Sequence, residues 1–254
     1  MILPRTPSFR LDGRRALVAG ASSGIGAACA VALAEQGAMV TLCARRNREL
    51  KALAAEMTAL GMQVATLTLD ITDVATTDFA LAALPTFDIL VNSAGLARHS
   101  PATATTLDDF DASTNLNFRA AYFLTRAIAA RLIAEGKPGS LINISSQMGH
   151  VGGVNRAVYS ASKHALEGMT KSMAIEWGPH GIRVNTIAPT FIRTALTEQT
   201  FSNPERTAWV LSKIKLGRVG EVTDIMGAVA FLASDAASLV TGTSLLIDGG
   251  WTAD

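Results

Sequence analysis

The chain has 254 residues, 49% of them hydrophobic and 17% charged, a balance that excludes a disordered chain and allows a large core. Its net charge of +1 supplies no global field for nucleic acid or an acidic membrane. Cys29 and Cys43 are too few for a disulfide framework, and residues 1–14 hold no long apolar stretch, so the expected setting is the reducing cytoplasm, without a signal peptide or membrane span.

In chain order, the apolar run 16–19 predicts a first strand. The glycine-rich stretch Gly20-Ala21-Ser22-Ser23-Gly24-Ile25-Gly26 then opens an Ala-rich helix that Gly37 stops. Residues 40–43 read as the second strand and 48–60 as a helix. Further strands are expected over 64–69, 89–91, 141–144, 184–187 and 244–247, with helices over 107–135, 158–177 and 221–234. Strand and helix alternate throughout, with no tandem repeat or linker. The expectation is an α/β chain forming one domain over 1–254: a Rossmann-type, doubly wound parallel sheet with helices on both faces.

Gly20, Gly24 and Gly26 give Gly-x-x-x-Gly-x-Gly between strand and helix. Glycines let the backbone turn tightly and approach a ligand, and the helix N-terminus offers free N–H groups to a pyrophosphate. The spacing differs from the commoner Gly-x-Gly-x-x-Gly, and the competing reading is a βα turn without a ligand. The second strand ends Cys43-Ala44-Arg45-Arg46, with no acid for the ribose 2′-hydroxyl of NAD. Arg45 and Arg46 place cations where NADP carries its 2′-phosphate, so NADP(H) is favoured, with NAD(H) as the alternative. The competing reading is a solvated charge pair at the start of the next helix.

Tyr159 and Lys163 are four positions apart, which stacks them on one face of a helix. A cation one turn away would lower the phenol pKa from its usual value near 10 and equip Tyr159 for proton transfer. Alone, the pair reads equally as an ordinary solvated helix face. The histidines (His99, His150, His164, His180) show no metal-ligand spacing, so no metal is expected.

These features stand in order with Asp70-Ile71, Asn92-Ser93-Ala94-Gly95, Asn115-Leu116, Asn143-Ile144-Ser145-Ser146 and the stretch 185–189. Together, over essentially the whole length, they resemble the short-chain dehydrogenase/reductase family in its single-domain subclass. The resemblance implies a catalytic group of Asn115, Ser146, Tyr159 and Lys163. Tyr159 would exchange a proton with the substrate oxygen and Ser146 would orient that oxygen. Lys163 would bind the nicotinamide ribose and lower the Tyr159 pKa, and Asn115 would position Lys163. Asn117 is a rival for that last place; the Asn-Leu pair favours Asn115.

The resemblance also implies cofactor contacts. Gly20, Ser22, Ser23, Gly24, Ile25 and Gly26 would hold the pyrophosphate, Arg45 and Arg46 the 2′-phosphate, and Asp70 and Ile71 the adenine. Asn92, Ala94 and Gly95 would line the nicotinamide ribose with Tyr159 and Lys163, while Pro189, Ile192 and Thr194 would reach the carboxamide and phosphates. Ser23 is neutral where NADP-preferring members often carry a base. Ser93 replaces a usual Asn, and Thr190 a usual Gly beside the nicotinamide.

Substrate contacts are expected from Ser146, Gln147, His150 and Asn155, and from Trp209 in a lid over about 195–218 that also holds Glu198, Gln199, Lys213 and Lys215. Arg98 and His99 follow the 92–95 loop. This polarity fits a sugar, sugar acid or polyol, oxidised or reduced at a secondary alcohol or ketone. One alternative is a 3-oxoacyl-carrier-protein ketoreductase, docking through Arg126, Arg131 and Lys171, against which the small net charge weighs. The other is a non-catalytic nucleotide-binding regulator, which would be expected to lack the Tyr or the Lys. The implied partners are a small molecule and further copies of the chain in a homotetramer, not nucleic acid or membrane. The apolar stripe Ala161, Ala165, Met169, Met173, Trp177 and the run 245–247 with Trp251 are the surfaces proposed for assembly.

Overall fold

Residues 3–195 and 197–253 are described in a computed structural model, with Gln199 as backbone only. The apolar runs form seven strands: β1 (Arg15–Ala19), β2 (Met39–Ala44), β3 (Val64–Thr68), β4 (Ile89–Asn92), β5 (Gly139–Ile144), β6 (Ile182–Pro189) and β7 (Ser244–Ile247). Every pairing is parallel, in the order β3-β2-β1-β4-β5-β6-β7. The chain starts mid-sheet and winds outward both ways, so a crevice opens beyond the carboxyl ends of β1 and β4.

The helices are α1 (Gly24–Glu35), α2 (Asn47–Ala59), α3 (Val74–Ala82), α4 (Leu107–Thr114), α5 (Ala121–Ala134), α6 (Ala157–Trp177), α7 (Glu198–Phe201), α8 (Pro204–Lys213) and α9 (Thr223–Ala233). Strand side chains alternate between two cores. Ala16 and Val18 of β1 join Cys29 and Leu33 of α1 and Val229 and Leu232 of α9 on one face. Leu17 and Ala19 join Leu124 and Ile128 of α5 and Met169 and Met173 of α6 on the other. Among the described residues no helix is long and apolar enough to cross a membrane.

Three features differ from the sequence expectations. Helix α3 was not expected; its signal is Asp73, whose carboxylate accepts from the Thr76 N–H at 3.0 Å as an N-cap. The stretch predicted as one helix over 107–135 is α4 and α5 joined by a π-helical segment, Asn115–Ala120. Such widened turns change which side chains face inward and are frequent at functional sites. In the expected lid, α7 and α8 are helical, and Asn203 caps α8 by accepting from the Arg206 N–H. Leu196 and the Gln199 side chain lie outside the described residues, as do Met1, Ile2 and Asp254 of the span 1–254.

Candidate active site

The β1–α1 turn accepts only glycine at two points. A Cβ on Gly20, at φ +77°, would sit 2.7 Å from the Ala94 nitrogen, and one on Gly26 would sit 2.2 Å from the Gly20 carbonyl oxygen. At Gly20 the backbone is therefore pressed against residues 93–94, and at Gly26 the helix start is pressed against the turn itself. Ser23 makes no side-chain cap on α1, and the first turn of that helix carries no acid, so its amides are left for an anion. A cleft of about 560 Å³ runs along this turn, past Arg45, Arg46, Asp70 and Ile71 to Ala94 and Gly95. A dinucleotide fits this donor set and this cradle.

At one end of the cleft Arg46 donates to the Ser22 hydroxyl from Nε and Nη2 (3.1 and 2.8 Å) and to the Ser23 hydroxyl from Nη2 at 2.7 Å. Arg45 stands 3.7 Å from the Asp70 carboxylate. Burial pushes the Asp70 carboxyl up. Hydrogen bonds from Thr72 and the charge of Arg45 outweigh that and hold it below the usual carboxylate range. The cationic corner thus joins the β1–α1 turn to the end of β2.

The other end narrows to a pocket of about 150 Å³ that reaches Ser146, Tyr159, Lys163, Pro189, Ile192 and Thr194. The hydroxyls of Ser145 and Thr190, which also line it, are buried and without a partner among the described residues. Orphaned polar atoms of this kind fit a polar ligand such as a carboxamide. The Ser146 Oγ accepts from the Met148 N–H at 3.1 Å, which leaves its own proton to donate. Lys163, buried beneath, donates to the Ile144 carbonyl at 2.9 Å. Burial pulls its ammonium down to about 8, with the Glu167 carboxylate pulling the other way.

Two expectations are corrected. The Tyr159 phenol is shifted upward on balance, not downward, with Lys163 Nζ 5.8 Å from its ring centre and donating to the carbonyl at the end of β5. Burial raises the phenol, and the opposing pulls come from a hydrogen bond with Ser146 and the charge of Arg156. The second correction concerns the Asn. Asn115 accepts from Arg119 at 3.3 Å in a surface depression that it shares with Asp111 and Phe118, away from the crevice. Asn117 is the one brought in. It accepts from the Leu96 N–H and donates to the Leu96 carbonyl, both at 2.9 Å, and reaches the Ser162 hydroxyl at 3.1 Å. A Cβ on Gly95 would lie 3.3 Å from Asn117 Oδ1 and 3.8 Å from Lys163 Nζ, so these two groups flank one point of the loop. The π segment makes the difference, and a helical sequence pattern does not reveal it.

The remaining expected residues divide. Asn92 donates to Asn143 at 3.1 Å and accepts from the Ala94 N–H at 3.2 Å, so it shapes the loop from beneath. His150 is held at the side of β7, 2.9 Å from the Ser244 hydroxyl and 3.6 Å from Glu167, and does not line the pocket. Gln147 is buried with its Oε1 unpartnered among the described residues. Asn155 is exposed at φ +60°. Trp209 packs edge-on to Trp251, with ring centres 5.4 Å apart. Sequence reasoning missed Arg156, whose guanidinium is 2.7 Å from His99 Nε2. The signal was its place three residues before Tyr159, one turn away.

Together the fold and the crevice define a nicotinamide-dependent oxidoreductase acting on CH–OH groups. A family model described as Enoyl-(Acyl carrier protein) reductase matches residues 20–252. The chain belongs to the short-chain dehydrogenase/reductase family. It is 39% identical to the D-erythrulose reductase of Gallus gallus over 245 residues, covering 96% of this chain and 98% of the relative. It is 38% identical to the 2-dehydro-3-deoxy-D-gluconate 5-dehydrogenase of Escherichia coli (strain K12), covering 97% and 98%. Among solved structures it is similar to a gluconate 5-dehydrogenase from Burkholderia cenocepacia J2315 in complex with NADP and tartrate. That match has a TM-score of 0.93 at 34% identity and covers 97% of this chain and 98% of the other.

Proposed function

We propose that this protein interconverts a secondary alcohol and a ketone on a sugar, sugar acid or polyol, with NADP(H) as the preferred hydride carrier. The observation that carries the chemistry is the phenol of Tyr159 beside the Ser146 hydroxyl at the narrow end of the cleft, with the buried Lys163 lining the same pocket. The bound nicotinamide supplies or accepts the hydride. Ser146, whose hydroxyl proton otherwise goes to Tyr159, donates it to the substrate oxygen and fixes that oxygen next to Tyr159. In reduction Tyr159, kept protonated by burial, gives its proton to the oxygen as the carbonyl becomes an alcohol. In oxidation it takes that proton back, with the charge of Arg156 and the Ser146 hydrogen bond favouring the phenolate. Lys163 holds the nicotinamide ribose, and Asn117 fixes the Leu96 loop against α6.

Arg46 with Ser22 and Ser23, seconded by Arg45, forms a cationic and hydroxyl-rich seat for a 2′-phosphate. The NADP in the solved relative supports that preference. Polyhydroxy ketones and acids in the relatives' names support the substrate class. Docking of an acyl carrier protein is disfavoured: Arg126 is paired with Asp78 at 2.6 Å, and Arg131 donates to the Leu81 and Leu84 carbonyls. We read the chain as one domain, working in the cytoplasm, where its two buried free cysteines suit a reducing milieu, and assembled as a homotetramer through exposed apolar side chains such as Leu107, Ile175 and Leu239. The test is a panel of ketoses, keto acids and polyols followed by absorbance change with each nicotinamide cofactor. Turnover confined to simple hydrophobic alcohols, or a clear preference for NAD, would refute it.

A further inference from the structure

We infer that the substrate carries a carboxylate and that Arg156, held between His99 and Phe191 and backed by Arg206, is the side chain that binds it. This rests on the hydride-transfer reading above and narrows its substrate class.

Several arginines around the site are neutralised by a neighbouring carboxylate. Arg98 pairs with Asp109 at 2.7 Å, Arg193 with Glu221 at 3.2 Å and Arg218 with Asp224 at 2.7 Å. Arg156 is different. Its Nη1 donates to His99 Nε2 at 2.7 Å, and its guanidinium carbon lies 5.3 Å from the centre of the Phe191 ring. Both partners are uncharged, because partial burial and the charges of Arg156 and Arg206 push the His99 imidazole down to about 4. Arg206, at the start of α8, is near enough to repel the charge of Arg156 as well. Among the described residues no carboxylate pairs with Arg156 or Arg206. A partly buried guanidinium with a like charge nearby and no counter-ion is a standing electrostatic cost, which an arriving anion relieves.

The place of this cation ties it to the chemistry. His99, in contact with Arg156, packs edge-on to Tyr159 with ring centres 5.8 Å apart. Phe191 follows the end of β6, one residue past Thr190 of the nicotinamide pocket. A carboxylate on Arg156 would thus be joined to a carbon chain whose carbonyl or carbinol meets Tyr159 and Ser146. The planar fork of a guanidinium matches a carboxylate bidentately, and a neutral ketose would leave the charge unanswered. The rival role for Arg156 is to act on Tyr159 alone, by favouring its phenolate.

Binding separates the two roles without turnover. L-tartrate and L-threitol, which carries CH₂OH in place of each carboxylate, are titrated calorimetrically into the protein–NADP⁺ complex. The wild type is expected to bind tartrate about 10- to 100-fold more tightly than threitol, the range of one or two charge-assisted hydrogen bonds. Arg156→Leu is expected to abolish that preference and Arg156→Lys to keep part of it. Arg206→Leu, at an exposed position that cannot disturb the core, is expected to reduce it by a smaller factor. Retained NADP⁺ binding certifies that Arg156→Leu is folded. Equal affinities for tartrate and threitol in the wild type, or a preference that survives in Arg156→Leu, would overturn the inference. In the kinetic arm, kcat/KM is compared for 5-keto-D-gluconate and L-sorbose, its neutral counterpart. Arg156→Leu should lower the acid-to-neutral ratio mainly through KM, whereas an equal loss on both substrates would assign Arg156 to Tyr159 alone. Failure of the hydride-transfer reading itself would show separately, as turnover that survives Tyr159→Phe.

Discussion

Burial pushes Tyr159 and Lys163 in opposite directions on the pH scale, and both shifts favour the uncharged form. Tyr159→Phe removes only the hydroxyl. It should cost about 10²–10⁴-fold in kcat while NADP⁺ binding stays near normal. A variant retaining a tenth of wild-type turnover would exclude the proton-transfer role. For Lys163 the sign of the pH effect follows from its folded value of about 8 against the ordinary 10.5. Between those values the unfolded chain holds a proton that the folded protein has released. This group's contribution to stability therefore grows more favourable as pH rises through that window. The Tm difference between wild type and Lys163→Met should move in the wild type's favour from pH 8 to 10; a difference that stays flat would place the lysine outside its buried setting. Asn117→Ala leaves the N–H and C=O of Leu96 without their partner and should cost about 1–3 kcal/mol in denaturant unfolding, with a fall in activity. Asn115→Ala, at a surface depression, should change neither by much. Equal effects from both substitutions would undo the reassignment.

At the level of elements, cofactor choice lies where the β1–α1 turn meets the end of β2. Arg46 reaches Ser22 and Ser23, whereas Arg45 leans toward Asp70. Steady-state kinetics should therefore show Arg46→Glu raising KM for NADP by about tenfold or more, with a smaller effect from Arg45→Asp and NAD gaining relative to NADP in both. Unchanged preference in both variants would refute the phosphate seat. The strands and the longer helices were legible because short apolar runs alternate with long helix-forming stretches; α3, α7 and α8, each short, were not. The π segment over Asn115–Ala120 was not legible, since its 6 residues are too few to establish a spacing of their own. That segment decides which of two asparagines two positions apart enters the site.

Across the whole molecule, the assembly surfaces narrow. Met169 and Met173 of the supposed interface stripe are buried in the monomer core and Trp177 packs against it, while Ala161 at the opposite end of the stripe is exposed. Leu246 on β7, the edge strand, and Leu239 before it remain open to water. Light scattering at micromolar concentration is expected to give a mass near four times 26.5 kDa. A mass of one chain would refute the oligomer, and a mass of two would leave a single interface.

The sequence by itself determined what depends on short spans: the strand–helix alternation, the glycines of the first turn, the absence of an acid after β2, and Tyr159 with Lys163 one helical turn apart. Each is set by local sterics or periodicity within a few residues. Only the tertiary structure decided what depends on where distant segments meet. It chose Asn117 over Asn115, set His150 against Glu167 and away from the pocket, and turned Lys163 toward Ile144. It also brought His99, Phe191 and Arg206, from three separate stretches, around the Arg156 guanidinium. Charge and burial at that point are sums over neighbours far apart in the chain, and no spacing rule carries them.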